Sequence, residues 1–543
     1  MLIVLLLKVT LRSPDFHLPD PLPLIRSPRF FIVSRLAVLS LAADLLLSVA
    51  GAAPANPPAA TAAPRPALDR PNVVVIFLDD AGYGDFEQNG NPTIRTPRIA
   101  KLAADGASFT QFYVASAACS ASRYALLTGR IPARSGLGSW TVGPESERHI
   151  HAREVTLADG LHQRGYATGM FGKWHLGTPN SKNGFDPAAL PLAHGFDQWI
   201  GTNVSHDYPA AMLLQSDPAG REPIAGYRVL ARNLPSNPAV CESLTGRYTA
   251  AAVDFIHAHR AQPFFAYVAL NQPHLGLFCG KEFQGTSRRG LLGDVMAEAD
   301  HCVGAIVNAL AAEGLTGNTM IFFSSDNGPW IRYQDIAHDP KYGDTRLQVG
   351  YALPFRNGKG SDWEGGHRVP GIFYWPGVIP PARVLDPAST LDVLPTVFQF
   401  AGEPLPSDRT LDGRNIGSLL TPKLGTKTVP QFHLLYPGSN NQPLALREGP
   451  WKLVTGIQQQ YRDDGGFKAS LQKPLLFQLE QDLGERIDRG AEHPDIVDTM
   501  KKEFLDQVAQ IRSEGTFWGA EDAKGHDSSD DEPAAPAKAA EGH

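Results

Sequence analysis

Cysteine is scarce, with four in 543 residues, too few for a disulfide scaffold of this size. The longest candidate span, Leu36 to Val49, is shorter than the roughly 20 apolar residues that a bilayer helix needs, and Asp44 interrupts it. Charge is sparse as well, at 19% of residues, and has no basic excess: 49 Lys and Arg face 56 Asp and Glu, a formal net charge of −7. Nucleic-acid binding through a strongly basic surface is therefore not expected, and no repeat of fixed period is evident. What is present is 43% hydrophobic residues, ordinary for a folded enzyme and enough for one large domain plus a small one.

The two ends differ from the middle. Residues 1–53 carry a net charge of +2 and end in an apolar run followed by Ala50-Gly51-Ala52, the pattern of a cleavable signal for secretion or the periplasm, with a retained signal anchor as the alternative. No stable membrane span is expected. Residues 54–70, rich in Ala and Pro, read as a linker. Residues 519–543 carry −5 without apolar periodicity and read as a disordered acidic tail. The intervening part then holds only −4. Export to an oxidising compartment would allow one disulfide among Cys241, Cys279 and Cys302.

Within a main domain expected over residues 71–430, helix-like segments alternate with short apolar runs from Pro71 to about Gly402, as in a mostly parallel sheet flanked by helices. NVVVIFL (Asn72 to Leu78) ends in Asp79 and Asp80; ATGMF (Ala167 to Phe171) is followed by Lys173 and His175; PFFAYVAL (Pro263 to Leu270) by His274; TMIFF (Thr319 to Phe323) by Asp326 and Asn327. In open α/β sheets the ligand site lies outside the carboxyl ends of the strands, so four such endings can converge. Asp79, Asp80, Asp326 and Asn327 are hard oxygen donors of the kind that Ca²⁺ or Mg²⁺ prefers. Without a cation the three acids would raise one another's pKa. Read singly, Asp80 could cap a helix and Asp326-Asn327-Gly328 could form a turn.

The segment CSASRYALLTGR runs from Cys119 to Arg130. A helix starting near Ser120 sets Cys119 at its N-terminus and Arg123 about one turn on, so that a nucleophile there meets backbone N–H groups and a cation; a lone buried cysteine is the plainer alternative. The string resembles the sulfatase signature C-x-P/A-S-R-x-x-x-L-T-G-R. PNVVVIFLDDAGYGD, FGKWHLG, NQPHLG, FFSSDNG and NGKGSDWEGGHRVPG extend the resemblance in the same order. ALREGPWKLV and LFQLEQDLGE resemble the smaller C-terminal domain of that family, which belongs to the alkaline-phosphatase-like superfamily.

The resemblance implies an arylsulfatase-type sulfuric ester hydrolase acting on a sulfated small molecule or sulfated glycan. It implies that a separate maturation enzyme oxidises Cys119 to formylglycine, whose hydrate attacks sulfur with one hydroxyl and expels sulfate by loss of the proton from the other. Serine or cysteine lacks that second hydroxyl. By the same resemblance Asp79, Asp80, Asp326 and Asn327 bind Ca²⁺, with Mg²⁺ as second choice, and Arg123 holds the hydrate. Lys173 contacts residue 119, as does His175, which serves as base for sulfate release. His274 protonates the leaving oxygen, and Lys359 binds a sulfate oxygen. Ala121 stands where proline is more usual, and Leu275-Gly276 where Thr and Pro are common, which bears on substrate preference.

A phosphonate or phosphate ester hydrolase could use the same site; a non-catalytic binder of sulfated glycans would have no need of the convertible cysteine. Asn203-Val204-Ser205 matches a glycosylation acceptor, a motif short enough to arise by chance. Trp140, His206, Asp207 and Tyr208 lie in segments that could form the substrate pocket and could equally be loop and packing residues. Over 431–518, FHLLYPG, Trp451 to Val454 and LLFQL read as strands of a small antiparallel sheet, and EHPDIVDTMKKEFLDQVAQIRS as an amphipathic helix upon it. The expected fold is thus a large α/β/α sandwich with a mixed, mostly parallel sheet and a smaller C-terminal α+β part.

Overall fold

The computed structural model describes residues 70–518 except 139, 222, 422–428 and 460–466. The leader, the linker up to residue 69 and the acidic tail lie outside the described residues. Of the two units into which the chain divides, Met1–Arg65 and Pro66–His543, only the second is described.

NVVVIFL forms β1 (Asn72–Leu78), buried along its whole length. The strands that follow are β2 (Ala107–Tyr113), β3 (Ala167–Gly172), β4 (Gln198–Thr202), β5 (Met212–Ser216), β6 (Tyr227–Arg232), β7 (Phe264–Ala269), β8 (Thr319–Ser325), β9 (Arg368–Tyr374), β10 (Ala382–Val384) and β11 (Ala388–Ser389). They lie in the order β10-β2-β9-β8-β1-β7-β3-β4-β5-β6, with β11 against β2. The middle of the sheet, β8-β1-β7-β3, is parallel throughout, while β9 runs antiparallel to β8 and β2, and β5 antiparallel to β4 and β6.

Alternate residues of β1 feed two cores, as the twofold strand period requires. Val73, Val75 and Phe77 pack with the helices Leu157–Gln163 and Val393–Ala401. Val74, Ile76 and Leu78 pack with the helices Leu244–Ala258 and Leu291–Ala312. The mixed α/β/α sandwich expected from the sequence is present. Among the described residues Leu291–Ala312, of mean hydropathy 1.2, is the one helix long and apolar enough to cross a membrane; 61% of its apolar window is buried inside the fold.

The helix Pro97–Asp105 is not capped by the residue that precedes it. Thr96 makes no side-chain cap; its hydroxyl accepts instead from Glu87 N at 3.1 Å. The free N–H groups of Arg98 and Ile99 both donate to Asp300 Oδ1 at 2.9 Å, so a residue about 200 positions away does the capping. Asp300→Ala leaves those two donors without a partner inside the fold, and a loss of about 2 kcal/mol in urea denaturation is expected.

A four-stranded antiparallel sheet follows: β12 (His433–Pro437), β13 (Pro443–Glu448), β14 (Trp451–Gln459) and β15 (Phe467–Gln478), in that order. The helix Pro494–Glu514 closes one face through Met500, Phe504 and Ile511. Its core also takes in Tyr113 of β2, Ala125 of the Cys119 helix and Trp363, so the two sheets share apolar contacts.

All four cysteines are free and buried, so no disulfide joins Cys241, Cys279 or Cys302. Asn203 is fully buried: its amide donates to Thr178 Oγ1 at 3.0 Å and accepts from Met212 N at 2.8 Å. The folded chain offers no glycosylation acceptor there.

Candidate active site

The site stands at the carboxyl ends of the parallel strands. Leu78 of β1 pairs with Ser325 of β8, and Gly172 of β3 pairs with Ala269 of β7. Asp79-Asp80, Asp326-Asn327, Lys173-His175 and His274 therefore leave the sheet along one edge. The neighbouring helix begins at Cys119, as the signature spacing suggests, and all ten of its residues are buried. In place of a side-chain cap, Trp140 O accepts from Ala121 N at 2.9 Å, and the Trp140 side chain packs on Ala118 and Ala121.

Each carboxylate in this cluster meets a cation. Lys173 Nζ lies 2.6 Å from Asp79 Oδ2, Arg123 Nη2 lies 2.7 Å from Asp326 Oδ2, and Lys359 Nζ lies 3.0 Å from Asp80 Oδ1. The Cys119 thiol donates to Asp79 Oδ1 at 3.3 Å. Asn327 Nδ2 donates to Asp80 Oδ1 at 2.7 Å, and Asp80 N donates to Asp326 Oδ1 at 3.1 Å. All ten residues singled out in the sequence are thus brought to one edge of the sheet.

Asp80, His175 and Asn357 have positive φ of 65°, 58° and 61°, a left-handed conformation that costs a non-glycine residue about 1 kcal/mol or more. All three adjoin the cluster or belong to it.

The charges respond to this crowding. Burial, reinforced by the nearby Asp79 carboxylate, pushes Asp326 up to about 7. Asp79 itself is held well below the carboxylate range, because Lys173, His274 and Arg123 outweigh its burial. Burial, then Asp79, pushes the Cys119 thiol well above its ordinary value, which leaves it protonated and a poor nucleophile. Burial and Lys173 hold His175 neutral; neither of its ring nitrogens has a hydrogen-bond partner among the described residues. His274 is pushed down by burial and Lys359. Its Nδ1 faces the carbonyl of Leu275, and a carbonyl can only accept, so Nδ1 carries the proton of the neutral ring and Nε2, 3.7 Å from Asp80 Oδ2, is the nitrogen that gains or loses one.

The cluster offers donor atoms for a metal ion, the Asp79, Asp80 and Asp326 carboxylates being of the hard kind. Asp79, Asp80, Cys119 and His274 each bring one donor atom into a group whose members all lie within 4.8 Å of one another. The buried Asn327 Oδ1 has no partner among the described residues. Three carboxylates, one of them raised to about 7, are the condition that a cation relieves.

The model of the family named Sulfatase matches residues 71–403, and arylsulfatase A of Bos taurus is 37% identical over 477 residues, covering 83% of this chain and 89% of that protein. The chain belongs to the sulfatase family. It is a sulfuric ester hydrolase. N-acetylgalactosamine-6-sulfatase of Sus scrofa is 33% identical over 495 residues, covering 84% of this chain and 87% of that protein. The solved PsFucS1 sulfatase from Pseudoalteromonas sp. superimposes with a TM-score of 0.70 at 26% identity, covering 82% and 91% of the two chains.

Several residues of this sulfatase border the cluster without having been assigned to it from the sequence. The His206 ring lies 5.5 Å from that of His274, and Tyr208 lies 5.7 Å from His175. Asp207 accepts from Tyr342 OH at 2.6 Å and from Lys341 at 2.8 Å. The Trp330 ring lies 4.3 Å from Lys359 Nζ and 5.4 Å from the His274 ring. For His206 to Tyr208 the sequence left pocket and packing readings open; their adjacency to His175 and His274 depends on β4 lying beside β3 and β5 beside β4. Trp330 had a local signal, since it directly follows Asp326-Asn327-Gly328-Pro329.

Proposed function

We propose that this sulfatase cleaves sulfate monoesters through an aldehyde made from Cys119 by a separate maturation enzyme, with Ca²⁺ held by Asp79, Asp80, Asp326 and Asn327. The observation that carries the reading is the state of Cys119. It opens a wholly buried helix amid Arg123, Lys173 and Lys359, yet burial and Asp79 keep it a thiol. An unmodified thiol has little use for so many cations, whereas a hydrated aldehyde attacking an anionic ester needs them. The ion would polarise the ester and add positive charge to a cluster in which three cations already offset three carboxylates.

The remaining roles fall to the chain's own groups. Arg123, paired with Asp326, and Lys173, paired with Asp79, hold residue 119 and orient the nucleophilic oxygen. His175, neutral and without a hydrogen-bond partner among the described residues, is suited to take the proton whose loss releases sulfate. His274 serves the departing oxygen through Nε2, since Nδ1 is committed to Leu275; it donates there once Nε2 has taken up a proton, with the ring as the imidazolium. Lys359 binds a sulfate oxygen from the leaving-group side. Sulfated sugars and small sulfated alcohols or phenols are the proposed substrates. Export is supported by the apolar run before Ala50-Gly51-Ala52.

Mass spectrometry of the tryptic peptide from Leu102 to Arg123, taken from protein made in its native host, tests the conversion. The aldehyde is expected. A peptide carrying only the unmodified thiol overturns the mechanism.

A further inference from the structure

The loop from Arg356 to His367 carries Lys359 between two anchorages. On the side of the site, Lys359 N donates to Pro329 O at 2.9 Å, Gly360 N to Ala117 O at 2.9 Å, and Gly328 N to Gly366 O at 3.0 Å. The loop is thereby seated against the segments that bear Asn327 and Cys119. The approach is close enough to demand glycine at 328, where a Cβ would fall 1.8 Å from Gly365 O.

On the far side the anchors come from the small sheet and the segment after it. Asp362 N donates to Gln458 O at 3.2 Å, and Gln458 N donates to Asp362 Oδ1 at 2.8 Å. Arg356 Nη1 donates to Glu485 O at 2.9 Å. Lys452 of β14 reaches furthest: its Nζ donates to Asp362 O at 2.7 Å and lies 3.3 Å from Glu364 Oε1 and 2.7 Å from Glu485 Oε1. Glu364 also accepts from Tyr113 OH at 2.6 Å and Tyr436 OH at 2.9 Å, and its own N–H donates to Glu485 Oε2 at 2.8 Å. The side chains of Lys452, Glu364 and Glu485 are entirely shielded from solvent.

A buried ion cluster of this kind is a poor source of stability, because desolvation offsets most of the attraction, but it admits few alternative arrangements. It therefore fixes the loop in register with the sheet. We propose that Lys452 is a positioning residue for Lys359, so that the small sheet sets where the leaving-group cation stands. The inference rests on reading Lys359 as the group that binds a sulfate oxygen.

Calorimetric binding of inorganic sulfate to the full-length chain in calcium buffer tests it without turnover. Lys359→Met and Lys452→Met are each expected to weaken sulfate about tenfold, and the double variant no further than either single one, since residues that act through one contact are non-additive. Unchanged affinity in K452M overturns the proposal. So does a double variant whose loss is the product of the two single losses, which is what general loosening produces. Failure of the unaltered chain to bind sulfate, or full affinity in K359M, overturns the reading of Lys359 and the proposal with it. Should K452M not fold, the charge-balanced pair K452M/E485Q takes its place in the cycle and is judged by the same outcomes.

Discussion

Cys119→Ala lowers kcat on an aryl sulfate by on the order of 10⁵-fold, the scale on which removal of a nucleophile acts elsewhere. The fold survives the change, because alanine suits the first turn of a helix and, among the described residues, the thiol gives up a single hydrogen bond, to Asp79. Circular dichroism and the urea midpoint should therefore match the unaltered chain while turnover disappears. Cys119→Ser adds a second arm: one hydroxyl permits attack on sulfur, but no second hydroxyl is present to expel sulfate. That variant is expected to accumulate covalent sulfate on residue 119, visible by mass, and not to turn over. Appreciable steady-state activity in either variant would falsify the role given to this position.

Stripping divalent cations produces the other large effect. With the ion gone, three buried carboxylates share the site, and Asp326, raised to about 7, keeps a proton through part of the neutral range. Exhaustive chelation is expected to reduce turnover by about 10³-fold, since a Lewis acid on the ester is worth several kcal/mol. Ca²⁺ should restore turnover more fully than Mg²⁺, which demands stricter octahedral geometry. Stability supplies a readout that needs no substrate: calcium at about 100 times its Kd adds about 2.7 kcal/mol to unfolding, lost on chelation and regained on addition. Neither quantity moving after chelation would remove the cation from the mechanism.

Much of this site was legible before any coordinates. Strands buried on both faces have an unmistakable β-branched density, as in NVVVIFL, and each ran directly into its functional residues. Parallel neighbours with level ends then converge by topology alone. Residues placed by non-local pairing were left undecided or unread. His206 to Tyr208 look like any polar loop until β4 and β5 bring them beside His175 and His274. Strand β13 went unread because Arg447 and Glu448 interrupt its apolar run, although the Arg447 side chain is buried, with its guanidinium 4.7 Å from the Tyr113 ring. The helix after Thr96 takes its cap from Asp300, a partner that no local pattern names. In each case a distant partner changed the use of the local chemistry.

The four free cysteines carry a consequence for how the fold responds to its surroundings. Burial raises Cys241 to about 11, and Cys279 and Cys302 to about 12, so that near neutral pH the reactive thiolate is a minute fraction of each. Thiol–disulfide exchange proceeds through that thiolate, and no existing disulfide is there to be reduced. Cys241, Cys279 and Cys302 are consequently expected to exchange with glutathione disulfide only slowly while the chain stays folded.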